Sequence, residues 1–295
     1  MVLDVARSLT RRENNWSPSR WARTLWVVVT HIPRQIQILR ALWPPVYADL
    51  LESDPRFPFR YLVIDYLAKG MTVAERMSCL AHHYRSLHAR LGNRVLGQTL
   101  YADLTLFESV EEGNLYRIAM SRSRELFREG ELSLKLEVNG AVVFVLSLTL
   151  VPGSVVRSNA SEVLLISRLQ GAKGHYRQIR QVTKTLHELG PSALLLAGAQ
   201  GLAEALGVNE MAGVCAVRQA SYLEEFAASY KEAYDGFFSE LGVAQNAAGF
   251  FVIPIPIVEK PLTVIKQGHK IRTRQKRAFK RQVADDVCRL IQESQ

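Results

Sequence analysis

Between Tyr101 and Leu169 the apolar residues recur at every second position. The alternation predicts strands over Tyr101–Phe107, Leu115–Met120, Leu132–Val138, Ala141–Val151 and Val163–Leu169. Asn139-Gly140 separates two of these runs and is the dipeptide that a two-residue hairpin turn favours. On either side the period changes from two to between three and four. Thr72 and Glu75 form a capping box that opens a helix carrying Cys79, His82, His83, Tyr84 and His88, and Gly92 follows it as a stop. Lys173–Leu189, Ser192–Leu206 and Tyr222–Leu241 read as helices, Met211–Val217 and Phe250–Val258 as strands. Pro254 and Pro256 put the last strand at an edge or over a bulge. Val264, Gly268, Ile271, Gln275, Phe279, Val283, Val287 and Leu290 define one face of a long C-terminal helix. These elements predict an α+β fold, a mostly antiparallel sheet flanked by helices. The domain reading is a Trp/Arg-rich N-terminal arm over residues 1–60 and a single α+β domain over 61–295.

The arm stands apart in composition. Trp16, Trp21, Trp26 and Trp43 are all of the chain's tryptophans, interleaved with Arg7, Arg11, Arg12, Arg20, Arg23, Arg34 and Arg40. Trp beside Arg suits a membrane interface. Pro18 and Pro33 interrupt a long amphipathic helix, so the preferred expectation is a helical arm whose tryptophans pack on the body. No run reads as a transmembrane helix: Ala141–Val151 is short and β-branched, and Pro191–Val208 contains Gln200 and Glu204. Arg11-Arg12 is followed by too short an apolar run, Leu25–Val29, for a twin-arginine export signal. Cys79, Cys215 and Cys288 are too scattered for a disulfide framework and suit reduced thiols in a cytoplasmic protein.

Charge sharpens the picture at the other end. The formal net charge is +9, and the nine basic residues from Lys260 to Arg281 account for all of it. Eight are candidate contacts to an anionic partner (Lys266, Lys270, Arg272, Arg274, Lys276, Arg277, Lys280 and Arg281), with no acid inside the stretch to neutralise them. An anionic membrane surface or a phosphorylated ligand suits this segment. Nucleic acid ranks behind them, because only Phe279 is available for stacking and it lies on the apolar face.

Candidate chemistry centres on the strand-to-helix junction Ser167–Arg180. A helix N-terminus offers free backbone N–H groups to phosphate. Gly171 and Gly174 allow close backbone approach, and Arg168, Lys173, Arg177 and Arg180 add charge. Arg168, Gln170, Gly171, Lys173, Gly174, Arg177 and Arg180 form the candidate cofactor site, against the plainer reading of a tight turn. The junction resembles the pyrophosphate-binding turn of the acetyltransferase superfamily that uses coenzyme A. Arg168 and Gly171 match that pattern; Lys173 stands where the family has Gly or Ala, and Gly174 comes one residue late. The resemblance implies coenzyme A or another acyl carrier as ligand. For His82 and His83 the preferred reading is a partly buried structural histidine; as a general base either one is the alternative, should the helix line a pocket. Ser121-Arg122-Ser123-Arg124 reads as a charged loop or strand end.

Tyr66–Arg76, His82-His83-Tyr84, Glu131–Gly153, Ile166–Gly171, Ile179–Val208 and Glu259–Leu290 together resemble the VirK/YbjX family of proteobacterial proteins. That resemblance implies a cytoplasmic protein, or one peripheral to the inner membrane, linked to virulence, envelope integrity and resistance to cationic antimicrobial peptides. It implies no reaction and no catalytic residues.

Overall fold

Asn139 and Gly140 both take positive φ, 50° and 83°, the geometry of a type I′ turn, whose twist matches the strands it joins. The turn connects β3 (Leu132–Val138) to β4 (Ala141–Pro152). The structure, a computed structural model, describes residues 18–124 and 126–294. Arg7, Arg11, Arg12, Trp16 and the side chains of Arg20, Trp21 and Arg23 lie outside the described part.

Seven strands lie in chain order in one sheet: β1 (Leu104–Glu111), β2 (Asn114–Arg122), β3, β4, β5 (Glu162–Gly171), β6 (Glu210–Val214) and β7 (Phe250–Pro254). Every neighbouring pair is antiparallel except β5 and β6, which run parallel and pair only at Leu164–Met211, Leu165–Ala212 and Ile166–Gly213. A parallel pair needs a crossover, here α6 (Tyr176–Thr185) and α7 (Pro191–Ala205). Before the sheet come α1 (Pro18–Thr30), α2 (Ile32–Ala41), α3 (Ala48–Ser53), α4 (Val73–Arg90) and α5 (Asn93–Tyr101). Between β6 and β7 lie α8 (Ala227–Tyr230) and α9 (Phe237–Glu240), and α10 (Lys270–Glu293) ends the chain. Thr72 Oγ1 accepts from Glu75 N–H and Glu75 reaches back to Thr72 N–H, so the capping box opens α4.

Strand alternation sorts the helices onto the two faces of the sheet. Leu134 and Ile118 lie beneath Gly198 of α7. Glu131, of opposite parity to Leu134, meets Tyr84 of α4. So α4, with α2 packed on it, covers one face, and α7 covers the other with α10 packed on it. The α7–α10 crossing is close: a Cβ at Gly201 would overlap the Ala284 carbonyl. One hydrophobic core runs from Val28 to Ile291.

On the α4 face, Glu131 is fully buried and accepts hydrogen bonds from Tyr66 Oη (2.7 Å), Tyr84 Oη and Arg60 Nη1 (3.0 Å). Arg60 also lies over the rings of Phe57 and Phe127.

Several expectations need correction, among them the strand expected to reach Val258, which ends at Pro254. The strand expected from Tyr101 begins at Leu104, because Val95, Leu96, Thr99 and Leu100 bury one face of a helix, α5, that runs to Tyr101. The strand expected to reach Val217 ends at Val214, where the chain turns into a short 3-10 segment, Ala216–Arg218. The helix expected over Tyr222–Leu241 begins at Ala227 and runs to Glu240 as α8, a π-helical turn Lys231–Gly236 and α9, and the Asp235 carboxylate of that turn accepts from Ala216 N–H. The C-terminal helix starts at Lys270 rather than near Val264; Val264 and Gly268 sit in separate 3-10 turns, and Val264 and Ile271 are exposed.

The tryptophans also depart from expectation. Trp26 and Trp43 are 65% and 85% exposed. Helix α2 buries Gln35, Ile38 and Ala41 instead, which leaves Ile32, Ile36 and Leu39 on an outward side, with the exposed Trp43 just past its end.

Candidate functional site

The junction after β5 brings together only part of the predicted set. Lys173, Gly174, Arg177 and Arg180 are exposed around the start of α6, and Gly174 takes φ 87°. Gly171 closes β5 opposite Phe144, and a Cβ there would lie 2.7 Å from Ile179 Cδ1, so glycine lets α6 fold back on the strand. Gln170 is a strand residue opposite Val145. Arg168 is committed elsewhere: its guanidinium pairs with the buried Glu129 carboxylate. Beyond Ile166 the two parallel strands no longer pair, and a tyrosine takes a β5 backbone N–H that β6 leaves free. Leu169 N–H donates to Tyr234 Oη (3.3 Å), and the Phe238 ring lies where a Gly213 side chain would be. Cavities of about 500 Å³ and about 440 Å³ lie elsewhere and take no lining residue from the junction.

His82 and His83 divide between two environments. His82 Nε2 lies 3.0 Å from Glu162 Oε2, and Glu162 also pairs with Arg90. Burial lowers the His82 pKa against the opposing pull of Glu162. Burial raises the Glu162 pKa, but its hydrogen bonds from Arg90 and His82 outweigh that and leave it lowered. His83 is fully buried, with Nδ1 accepting from Leu150 N–H (3.1 Å) and Nε2 unpartnered. Burial, with repulsion from His82, takes its pKa down from 6.5 to about 3. This is a neutral histidine that ties α4 to β4.

The basic segment is less bare than its sequence. Glu188 pairs with Arg272 and Lys276, and Glu259 with Arg277 and Lys280. Both acids lie outside the basic run and reach it only through the fold. Lys266, Lys270, Arg274 and Arg281 make no ion pair among the described residues. Phe279, Val283, Val287 and Ile291 form the buried face of α10.

Two features escaped the sequence reading. One is the outward apolar row Trp26, Val29, Ile32, Ile36, Leu39 and Trp43 along α1 and α2. Its spacing of three and four was visible, but nothing in the pattern said which side of the helix was covered. The other is the cavity of about 500 Å³ lined by Ser121, Arg122, Ser123, Arg124, Ser133 and Lys135, among others. Polar residues at inward strand positions were the available signal.

The fold and these surfaces define an α+β protein with a seven-stranded, mostly antiparallel sheet and two exposed surfaces of distinct chemistry, one apolar and one cationic. The chain belongs to the family described as Protein of unknown function (DUF535), whose model matches residues 19–288. No curated protein and no solved structure matches the chain. No helix among the described residues is long and apolar enough to cross a membrane.

His83 predicts an acid-sensitive fold. Its folded pKa lies below its unfolded one, so below about 6.5 the unfolded chain takes up a proton that the folded chain refuses. Stability should fall by about 1.4 kcal/mol per pH unit from this group alone as pH drops from about 6.5. Urea unfolding at a series of pH values should show that slope, and His83→Gln, which cannot titrate, should flatten it. An unchanged profile in the variant would remove His83 as the cause.

Proposed function

We propose that the protein is a peripheral membrane protein that docks on anionic lipid through the outward side of α1 and α2. The observation that carries this is the row of exposed apolar side chains from Trp26 to Trp43. Soluble proteins rarely leave such a contiguous patch uncovered. Tryptophan at both ends suits the headgroup boundary, where an amphipathic ring is stable. Charge supports the same occupant: no Asp or Glu occurs from Asn14 to Ala48, while Arg34 and Arg40 are exposed on α2. Nearby cations contribute ~1 kcal/mol each on anionic lipid. The VirK/YbjX resemblance supports a place at the inner membrane and a part in envelope integrity and resistance to cationic peptides.

Helices α2 and α10 pack over opposite faces of the sheet. A flat bilayer meeting the tryptophan row therefore lies far from the cations of α10, and screening over ~10 Å weakens their pull on it. In this reading α10 faces a different anionic partner.

Vesicles of phosphatidylglycerol and phosphatidylethanolamine should sediment the full chain. Trp26→Ser with Trp43→Ser should weaken binding at least about tenfold. Lys270→Gln with Arg274→Gln and Arg281→Gln should leave most of it. Unchanged binding by the tryptophan variant contradicts the reading. So does a concentration-dependent dimer, abolished by the same variant, in the absence of vesicle binding.

A second reading, an acyltransferase-like protein holding an acyl carrier, draws on the sheet. Its single parallel pair separates after three register positions beside a strand–turn–helix junction. Against it stands Tyr234, whose hydroxyl takes the Leu169 N–H beyond the last paired position. Calorimetric titration with coenzyme A decides: saturable binding lost in Lys173→Glu supports an acyl-carrier site, and absence of heat removes it.

A further inference from the structure

The helical layer on the Glu131 face does not cover the sheet completely. Helix α4 packs on β4, and α5 on β2. At the end of α5, over the ends of β2 and β3 and beside β4, lies the cavity of about 500 Å³. Its floor is polar where a covered sheet face is ordinarily apolar. Ser121 and Ser133 are register partners across β2 and β3, and Ser123 Oγ lies 2.7 Å from Ser133 Oγ. All three serines are nearly buried. A hydroxyl both donates and accepts, so each retains capacity for a further partner.

Two guanidinium groups stand at the rim, held by the end of α5. Arg122 Nε donates to the Leu100 carbonyl (3.3 Å) and Arg124 Nη2 to the Tyr101 carbonyl (2.5 Å). Carbonyls in the last turn of a helix have no intrahelical partner and carry partial negative charge, so they fix cations well. One donor of each fork is used, and neither arginine forms an ion pair among the described residues. Burial lowers the Arg122 pKa, and Arg60 and Arg124 push the same way against Tyr84 and Glu131. Lys135 also lines the cavity, paired with Asp103 at 2.8 Å. The described lining thus sets three cations against one carboxylate.

We infer that this cavity binds a phosphate monoester of a small molecule, with Arg122 and Arg124 gripping the phosphate and the three serines meeting its neighbouring polar groups. A monoester carries about −1.5 to −2 charge at neutral pH and three acceptor oxygens, which matches two forks that form no ion pair among the described residues better than a carboxylate does. Val142 and Val145 supply an apolar wall, and the volume suits a small organic body. The site is independent of the membrane-docking reading and shares no residue with it.

Calorimetric titration of the full chain with inorganic phosphate and with glycerol 3-phosphate tests the site, with acetate and glycerol as controls. Saturable binding of a phosphate probe, with neither control binding, is the expected result. Arg124→Gln, at an exposed position, should weaken it about tenfold or more, and adding Arg122→Gln should abolish it. If the double variant fails to fold, Arg124→Gln alone decides. Lys270→Gln with Arg274→Gln should leave affinity unchanged, which separates the cavity from the cationic helix. No saturable binding of either phosphate probe, equal binding of acetate, or full affinity in Arg124→Gln would each overturn the site.

Discussion

The Glu131 carboxylate, shut off from solvent, is satisfied by Arg60, Tyr66 and Tyr84. Removing one partner from a buried charge pair costs ~3–5 kcal/mol, because the other charge stays buried without compensation. Here the pair joins segments far apart in sequence. Arg60 lies in the 3-10 turn Phe57–Leu62 that follows α3, Tyr84 in α4, and Glu131 at the entry to β3. The same contacts hold the N-terminal helices against the sheet. Just before Glu131, the turn Phe127–Glu129 presents Glu129 to Arg168 on β5. Burial and the Glu131 charge hold both tyrosine pKa values well above the ordinary range, so the phenols stay neutral donors.

This arrangement separates two chemistries that the sequence runs close together in composition. Cations are dense toward both ends of the sequence, and those of α2 and of α10 lie over opposite faces of the sheet. The N-terminal helix keeps its apolar side chains exposed beside its arginines. The C-terminal helix buries its apolar face against α7 and lends four cations to Glu188 and Glu259. Its effective charge is therefore smaller than the unbroken run from Lys260 to Arg281 implies.

The sheet was largely legible because its signals are local. Asn139-Gly140 sets a hairpin, alternation marks both faces, and the Thr72–Glu75 box starts α4 where it should. What failed depended on neighbours. The alternation places Tyr101 in the first strand, but it closes a helix whose buried side packs against β2. The π turn in Tyr222–Leu241 is imposed by Tyr234 and Asp235, which reach β5 and Ala216. The candidate cofactor site was read from glycines and arginines close in sequence, yet Arg168 is claimed by a carboxylate 39 positions away. The exposure of Trp26 and Trp43 is likewise a tertiary fact, since a helix pattern marks an apolar side without saying what covers it.

Tryptophan emission in the presence of vesicles whose acyl chains carry bromine most directly tests the membrane-docking account. Bromine quenches only rings that reach the lipid. The account predicts strong quenching in the native chain and loss of most of it when Trp26 and Trp43 are replaced. Emission that stays unchanged as brominated anionic vesicles are added would contradict it.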